Sequence, residues 1–300
     1  MSIIVPHFSI IVAVYNDWEP LERCLRSLSQ QMDAPPFEAV IVDDGSDDEA
    51  PESIRVWHKR FPITIVRQQH AGISVARNGG IHSSSGSILV FTDADCEMQS
   101  NCLSALASAM SRFRQHDCFQ LHLAGERSNL LGRAEELRLI GIQQHALQAD
   151  GRIRYLNTAG FAVRRTFVGP DARLFDPLAL RAEDTLLLAD LIRRGELPFF
   201  VRDATVRHRI ELSWYQCLIK DVRSAWRESR TYEIIAAKGV SVRMSDIARV
   251  KMMRSMWNSA KQDSIGRMAW FVVIARRTVH RVIRSLYKIQ SGSIDIPEVQ

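Results

Sequence analysis

The apolar positions of residues 8–93 fall into four short runs rich in β-branched residues, separated by segments with helical spacing. The runs are 8–15 (FSIIVAVY), 37–43 (FEAVIVD), 63–67 (ITIVR) and 87–93 (SILVFTD). Runs of this length are typical of strands, and their near-continuous apolar character indicates a sheet covered on both faces. The alternation therefore predicts an α/β fold, in which parallel strands are joined by right-handed helical crossovers.

The first helical segment follows the first run. Its apolar residues recur at steps of three and four positions, which places them on one face of a helix. They are Trp18, Leu21, Leu25 and Leu28. Asn16 and Asp17 stand directly before this segment, and either side chain is of a type that caps helices. We therefore expect the helix to begin at this point.

Polar residues follow three of the four predicted strands. They are Tyr15, Asn16 and Asp17, then Asp43, Asp44, Gly45 and Ser46, and finally Asp93 and Asp95. The carboxyl ends of parallel strands meet at one edge of a sheet, where ligands bind in folds of this kind. Turn chemistry alone could explain the Asp-Asp-Gly-Ser stretch, but the combination is more specific than any single motif. Buried carboxylates need a partner, so a metal ion, a basic side chain or solvent is expected beside Asp93 and Asp95.

Several classes of protein are disfavoured. No GxGxxG follows a strand and no GxxxxGK[ST] occurs, so neither a Rossmann dinucleotide loop nor a P-loop accounts for the site. The five cysteines form no CxxC pair and no His/Cys cluster, so reduced thiols are expected rather than disulfides or zinc ligands. The apolar N-terminus lacks a basic segment and is interrupted at Asn16 and Asp17, which predicts a cytoplasmic protein.

Five motifs in order carry a family resemblance. FSIIVAVYND, IVDDGSDD, HAGISVARNGG, GSILVFTDADCE and RAEDTLLLADLIRRG resemble the inverting glycosyltransferases of family 2, over about residues 8–210. The resemblance implies a Rossmann-like glycosyltransferase A domain with a mostly parallel central sheet at 1–210, followed by a helical, basic C-terminal region at 211–300. It also implies transfer of a sugar from a nucleoside diphosphate donor, usually UDP-linked, to an acceptor hydroxyl, assisted by Mn²⁺ or Mg²⁺.

The resemblance assigns donor and metal roles residue by residue. The implied nucleotide-binding residues are Ala13, Tyr15, Asp43, Asp44, Arg77 and Asp93. Tyr15 would lie against the base, and Asp43 would accept a hydrogen bond from the uracil ring. Ala13 stands where the family often has threonine or serine, so one hydrogen bond to the donor is expected to be absent. Arg77 would hold the diphosphate, because a guanidinium can bind two oxygens at once; the alternative is a surface arginine on a helix.

The implied metal ligands are Asp95, Asp93 and His208. Asp95 is the expected direct ligand, whereas Asp93 would contact ribose or a metal-bound water. His208 has the family's spacing for a metal-binding histidine, and its ring nitrogen suits Mn²⁺, but an ordinary structural histidine is the alternative. A carboxylate-bound divalent ion would offset the charge of the diphosphate leaving group. His70, His82 and His122 are expected to be structural or exposed.

The segment RAEDTLLLADLIRRG predicts a helix that begins near Glu183 and ends at Gly195. By resemblance, Asp184 is the catalytic base and Glu183 the reserve candidate, although acids at a helix start are also common for electrostatic reasons. The stretch NTAGFAVRR, residues 157–165, resembles the loop and strand that shape the donor and acceptor pocket, with Gly160 and Phe161 as its pocket residues. No QxxRW motif occurs in WYQCLIKDVRSAW, which favours addition of one sugar over polymerisation.

Basic charge is concentrated near the C-terminus. Residues 243–288 contain 11 Lys and Arg against 2 Asp and Glu, a local charge of +9, whereas the whole chain carries +5. Within this segment the apolar residues Val279, Val282, Ile283 and Leu286 lie near one helical stripe. A packed helical appendage, an anionic membrane surface and a nucleic-acid patch are the three interpretations. No nucleic-acid motif accompanies the charge, so a nucleic acid is not an expected partner.

These patterns together predict a metal-dependent, inverting glycosyltransferase that uses a UDP-linked donor and a glycan or lipid-linked acceptor. The expected location is cytoplasmic, with peripheral attachment to the inner face of the plasma membrane as an addition. A nucleotidyltransferase and a non-catalytic nucleotide-binding or glycan-binding protein on the same fold are the alternatives. The acids at 93, 95 and 184 weigh against a non-catalytic protein, and the absence of a glycine-rich basic loop near the N-terminus weighs against a nucleotidyltransferase.

Overall fold

The computed structural model describes residues 7–127, 129–209, 213–242 and 244–291. Its strands are β1 Phe8–Val14, β2 Phe37–Asp43, β3 Ile63–Arg67, β4 Ile88–Asp93, β5 Cys96–Met98, β6 Cys118–Gly125, β7 Phe161–Arg164 and β8 Phe199–His208. Its helices are α1 Trp18–Ser29, α2 Glu52–Arg55, α3 Ile73–His82, α4 Cys102–Arg112, α5 Leu130–Ala146, α6 Glu183–Arg193, α7 Trp214–Ala237, α8 Asp246–Ala260 and α9 Ser264–Ser291. Short 3-10 turns span Val56–Lys59, Thr158–Gly160 and Arg165–Phe167. The α/β class is confirmed.

All eight strands form one sheet in the order β3-β2-β1-β4-β7-β6-β8-β5. The four strands predicted from apolar runs, β1 to β4, are neighbours and run parallel. In this register Ala13 lies between Val42 of β2 and Asp93 of β4, and Val14 lies beside Asp43. The three polar strand ends therefore meet at one edge, as predicted.

The other half of the sheet is mixed. Strand β7 runs antiparallel to both β4 and β6, and β5 runs antiparallel to β8. Only β6 and β8 are parallel there. The three-residue strand β5 starts directly after Asp95, and its first residue, Cys96, pairs with His208 at the end of β8. This pairing places His208, the last residue of β8, at the edge formed by the ends of β1 to β4.

Both faces of the sheet are covered, which confirms the reading of the apolar strands. Alternate residues of one strand enter different cores: Ile10 and Val12 pack on the side of α1 and α4, whereas Ile11 packs on the side of α3 and α6. Helix α1 buries Leu21, Leu25 and Leu28, as its spacing predicted. The predicted cap differs, because Asp17 occupies the capping position without a side-chain hydrogen bond to the helix.

Helices α7, α8 and α9 pack on the sheet domain and on one another. Met252 and Met256 of α8 are buried in one cluster with Leu137 of α5. Ile235 of α7 packs with Leu186 of α6. Arg243, the first residue of the basic segment, lies outside the described residues. Among the helices described, none has the length and apolar character that crossing a bilayer requires.

Candidate active site

Asp95 and His208 form a pair at the sheet edge. Asp95 follows β4 and precedes β5, and its Oδ2 lies 3.0 Å from Nε2 of His208. Burial favours the neutral carboxyl, but the hydrogen bond from His208 and the charges of His208 and Lys220 outweigh it, so the pKa of Asp95 lies below its usual value. Burial opposes a charged imidazole, yet the contact with Asp95 raises the pKa of His208 above its usual value. Each group of the pair therefore favours the charged form of the other.

The donor atoms of this pair suit a divalent metal ion. One potential ligand atom from each of Asp95, Cys96 and His208 lies within 4.8 Å of the other two. Burial, followed by the charges of Asp95 and Asp93, raises the pKa of the Cys96 thiol well above its usual value, so this thiol is a poor ligand at neutral pH. The remaining carboxylate and imidazole groups fit Mn²⁺, which accepts both oxygen and nitrogen ligands. Two protein ligands would leave coordination positions open for a substrate.

Asp93 is held differently from Asp95, by Arg77. Nη2 of Arg77 lies 2.7 Å from Oδ1 of Asp93, and Nη1 lies 2.5 Å from Oε1 of Glu183. Arg77 is 1% exposed, which excludes the alternative of a surface helix arginine. Burial works against its charge, but Glu183 and Asp93 raise the pKa of Arg77 above its usual value. The guanidinium therefore links α3, β4 and α6, and its predicted contact with a diphosphate stays a prediction.

The acids at the start of α6 have opposite ionisation behaviour. Burial and then the neighbouring charge of Glu183 raise the pKa of Asp184 to about 7, although hydrogen bonds from the Thr185 backbone N–H and hydroxyl oppose this shift. Burial also acts on Glu183, but the charge and hydrogen bond of Arg77 hold the pKa of Glu183 below its usual value. Two adjacent carboxyls thus differ because only one of them contacts the arginine. Such a split is typical of acid–base pairs.

The start of α6 is built from an unusual backbone conformation. Ala182, directly before Glu183, has a φ of 58° in the left-handed region, which disfavours residues with a Cβ atom. The carbonyl of Arg181 accepts a 2.6 Å hydrogen bond from the Thr231 hydroxyl of α7. As the sequence predicted, the helix ends before Gly195, whose φ of 76° favours glycine.

The nucleoside side of the edge contains Asp43, Asp44 and Tyr15. Oδ1 of Asp43 accepts a 2.8 Å hydrogen bond from the Ser46 N–H, and its Oδ2 lies 3.5 Å from Arg67. Oxygens of Asp44 accept hydrogen bonds from Gln68 and from the N–H groups of Ala71 and Gly72. Both carboxylates are buried. In this conformation they order the loops around the edge, and their predicted contacts with a nucleotide stay predictions.

Tyr15 is the exposed member of this group, with 44% of its surface accessible. Its ring centroid lies 4.4 Å from that of His70, which the sequence analysis assigned a structural or exposed position. Two exposed rings side by side offer a surface on which a base could stack. Ala13 is a half-buried strand residue beside Asp93 and adds no polar group.

Gly160 and Phe161 lie in the core rather than on an exposed pocket wall. A Cβ atom on Gly160 would lie 2.7 Å from Cδ2 of Leu123, so the predicted close approach is made to β6. Phe161 is fully buried against Phe91, with ring centroids 6.1 Å apart. Both residues support the sheet beneath the site. Because both are buried, neither exposes a surface that a donor or acceptor could contact in this conformation.

Sequence reasoning missed two charged residues, Glu135 and Arg138, that lie behind the Asp95–His208 pair. Glu135 of α5 is buried, and its Oε1 lies 3.9 Å from Nδ1 of His208 and 2.5 Å from Nη2 of Arg138. Burial alone would raise the pKa of Glu135, but Arg138 and then His208 lower it to about 2. At 3.9 Å the carboxylate acts on His208 through its charge, which contributes to the raised pKa of the imidazole. The only sequence signal was a Glu and an Arg three residues apart on a helix, which by itself indicates an ordinary ion pair.

Comparison with known proteins agrees with this geometry. The sequence profile of glycosyl transferase family 2 matches residues 9–168. Over 114 residues the chain is 33% identical to glycosyltransferase AglE of Haloferax volcanii, covering 37% of this chain and 38% of AglE. Over 92 residues it is 39% identical to validoxylamine A glucosyltransferase of Streptomyces hygroscopicus subsp. limoneus, covering 30% of this chain and 20% of that enzyme. These matches span less than half of either relative.

Solved structures show the same architecture across nearly the whole chain. Residues 1–349 of S. aureus TarS in complex with UDP-GlcNAc align with a TM-score of 0.57 at 16% identity, covering 95% of this chain and 92% of that one. Mannosyltransferase PcManGT from Pyrobaculum calidifontis, in complex with GDP-Man and Mn²⁺, aligns with a TM-score of 0.59 at 17% identity, covering 95% and 84%. At this identity the likeness is one of fold. Because the family profile covers more than half of the chain and includes the strands that carry Asp43, Asp93 and Asp95, the protein belongs to glycosyl transferase family 2.

Proposed function

We propose that the protein transfers a single sugar, with inversion, from a nucleoside diphosphate donor to a hydroxyl of a glycan or lipid-linked acceptor. The observation that carries this proposal is the convergence of a metal-competent pair, Asp95 and His208, with Asp184, a carboxyl whose pKa is about 7. Arg77 connects their neighbours Asp93 and Glu183. The structural neighbours in complex with UDP-GlcNAc and with GDP-Man support a nucleotide-sugar donor, and we favour a UDP-linked one.

Asp95 and His208 would hold the divalent ion, with Asp93 beside it toward the ribose. Mn²⁺ fits the imidazole ligand better than Mg²⁺, which prefers oxygen ligands alone. When bound, the ion would supply charge that offsets the diphosphate as it leaves. Tyr15 and His70 would flank the base, and the N–H groups and carboxylates of the loops after β1 and β2 would complete the nucleoside pocket. A loaded donor could also draw Arg77 toward the diphosphate.

Asp184 is the residue we assign to proton removal from the acceptor hydroxyl. A base is most effective when its pKa lies near the working pH, and the pKa of about 7 meets that requirement. Glu183 is a weaker candidate, because its ion pair with Arg77 lowers its pKa and occupies one of its oxygens. In an inverting displacement the bond to the acceptor oxygen forms as the bond to the diphosphate breaks, and Asp184 takes the acceptor proton.

The proposal also covers the organisation and location of the whole chain. We propose residues 1–210 as the catalytic unit and 211–300 as a helical, basic unit that serves the acceptor side and an anionic membrane surface. Addition of a single sugar is supported by the absence of a QxxRW motif in 214–226. A cytoplasmic location at the inner face of the plasma membrane is part of the same proposal. A nucleotidyltransferase or a non-catalytic protein would not need a carboxyl with a pKa near 7 next to Glu183, which Arg77 links to Asp93.

The test is metal-dependent donor binding. Isothermal titration of UDP into the wild-type protein should show binding that requires Mn²⁺, and Asp95→Ala should weaken that binding at least about tenfold because a ligand is lost. The fold should persist, since Asp95 lies in a turn at the strand end. Asp117→Ala is the matched control, because this half-exposed aspartate precedes β6 and contacts only Arg164. Equal, metal-dependent binding by wild type and Asp95→Ala would refute the metal assignment.

A further inference from the structure

Helices α7 and α9 present large apolar side chains to solvent at helical spacing. On α7 these residues are Trp214, Tyr215, Leu218, Val222 and Trp226. On α9 they are Ile265, Met268, Phe271, Val282, Leu286 and Ile289. Each set recurs mainly at steps of three and four residues and thus forms one stripe along its helix. Residues such as Tyr215, which is 72% exposed, and Phe271, which is 61% exposed, have no packing reason to be apolar.

Helices α7 and α9 run parallel, and their stripes meet at one groove, which Leu218 and Phe271 both line. Asp221 of α7 pairs with Arg276 of α9 at 2.7 Å, and Glu228, two turns later, pairs with Arg284 at 2.5 Å. The rings of Trp226 and Tyr287 meet at 5.0 Å. Contacts that advance in the same direction on both helices fix a parallel register. The stripes and the ion pairs that hold them together are called the α7–α9 face below.

An apolar groove opens between the two stripes. It has a volume of about 510 Å³, and Leu218 of α7, Phe271 and Val279 of α9, and Leu131 of α5 are among the residues that line it. Its charged members, Asp221 and Arg276, are paired with each other. A groove of this size and character suits a hydrocarbon chain rather than a sugar or a nucleotide.

Basic residues border the α7–α9 face. Exposed cations on α7 are Lys220, Arg223, Arg227 and Arg230, and on α9 they include Arg267 and Arg281. The 28 residues of α9 contain six Lys and Arg and no acid. An apolar stripe with a basic border is the pattern of helices that lie in a bilayer interface, where anionic headgroups complement the cations.

The active site lies close to this face. Lys220 is on the same helical turn as Leu218, and its charge acts on the carboxyl of Asp95. Leu131 in the groove and Glu135 behind His208 are one turn apart on α5. An acceptor whose hydrocarbon chain occupied the groove would therefore have its polar head near the metal pair.

We propose that the α7–α9 face docks on the surface of an anionic lipid bilayer and that its groove receives a lipid hydrocarbon chain. The part that concerns the acceptor rests on the proposed glycosyl transfer; docking itself does not. This surface differs from the 243–288 segment singled out in the sequence, because it includes α7 and excludes the buried side of α8, where Met252 and Met256 pack on α5. Self-association through the face is disfavoured, since two copies would bring their basic borders together.

The test compares two double variants of equal charge change. Leu218→Glu with Phe271→Glu places acids in the groove. Ile247→Glu with Val250→Glu is the matched control, because both side chains are exposed, at 71% and 68%, on α8 within the same basic segment. Each protein is sedimented with vesicles of phosphatidylcholine, with or without phosphatidylglycerol. Wild type and the control should sediment with the anionic vesicles, and the groove variant should partition at least about tenfold less.

Several outcomes would overturn the proposal. The proposal is wrong if wild type stays in the supernatant with anionic vesicles. It is also wrong if the groove variant sediments like wild type, or if the control variant loses as much vesicle binding as the groove variant. A wild-type dimer in solution that only the groove variant dissociates, without vesicle binding, would assign the face to self-association instead. If the glutamates prevent folding, the double variant Leu218→Asn with Phe271→Asn replaces the groove variant in the same sedimentation experiment. Mn²⁺-dependent UDP binding should stay within about twofold in all variants; its absence in wild type would count against glycosyl transfer and not against docking.

Discussion

The site contains two pairs of acids that look alike in sequence and differ in the structure. Asp93 is the last residue of β4 and Asp95 lies in the turn after it, and Glu183 and Asp184 begin α6. In each pair Arg77 binds one member and not the other: Asp95 contacts His208 instead, and Asp184 has a pKa of about 7. One buried guanidinium therefore gives the two neighbouring carboxyls of each pair different environments, because it contacts one of them and not the other.

Removing the shared arginine should have the largest effect. Arg77→Met leaves Asp93 and the buried Glu183 without their partner, and breaking a buried ion pair in this way costs about 3–5 kcal/mol. The free energy of unfolding, measured with denaturant, should fall by that amount. Arg26→Met is the control, because its ion pair with Glu22 is exposed and should contribute less than about 1 kcal/mol. Equal small losses in both variants would show that Arg77 does not join the two pairs.

The next largest effect should come from Asp184, which we propose as the base. Asp184→Asn keeps the shape of the side chain but cannot accept a proton, so turnover should fall about a hundredfold or more while donor affinity changes little. Asp190→Asn, on the same helix and paired with Lys238 at the surface, should leave turnover nearly unchanged. Near-native turnover in Asp184→Asn would transfer the role to Glu183 or to another group.

The pH profile sharpens the same assignment. A base with a pKa of about 7 is ionised above that pH and protonated below it, so kcat/KM should be flat at alkaline pH and about tenfold lower at pH 6. Burial and then the charge of Glu183 raise this pKa, whereas the hydrogen bonds from Thr185 and the charge of Arg77 lower it. Arg138, Tyr155 and Tyr232 also interact electrostatically with Asp184 from other elements. A profile for wild type that is flat from pH 6 to about 8 would contradict the role of Asp184.

The smallest effect should come from Ala182, whose backbone precedes Glu183 and Asp184. Ala182→Gly relieves a left-handed alanine, which should raise the free energy of unfolding by up to about 1 kcal/mol. Ala172→Gly, at the other left-handed alanine, should give a similar gain. Only Ala182→Gly should lower turnover, by about twofold, because the acids of α6 would be held less firmly. A similar change in turnover in both variants would show that the backbone conformation of Ala182 has no specific effect on the site.

Much of the fold could be predicted from local pattern. The strands β1 to β4 and the helices α1 and α6 occur where apolar runs and helical spacing placed them. Short strand β5 and the antiparallel strand β7 were harder to foresee, because pairing with β8 and β4 defines them more than their own composition does. Packing also excluded one alternative that the sequence left open: Arg77 is buried, although an arginine on a helix is most often exposed.

The sequence by itself determined where the polar groups of the edge would stand, because each follows a strand or starts a helix whose periodicity is local. Only the tertiary structure decided what each group does. Arg77 reaches Glu183 106 positions away, and His208 reaches Asp95 113 positions away. The pKa of a buried carboxyl depends on which charges lie within a few ångströms in a medium of low polarity. That neighbourhood is set by the packing of distant segments, and no pattern along the chain records it.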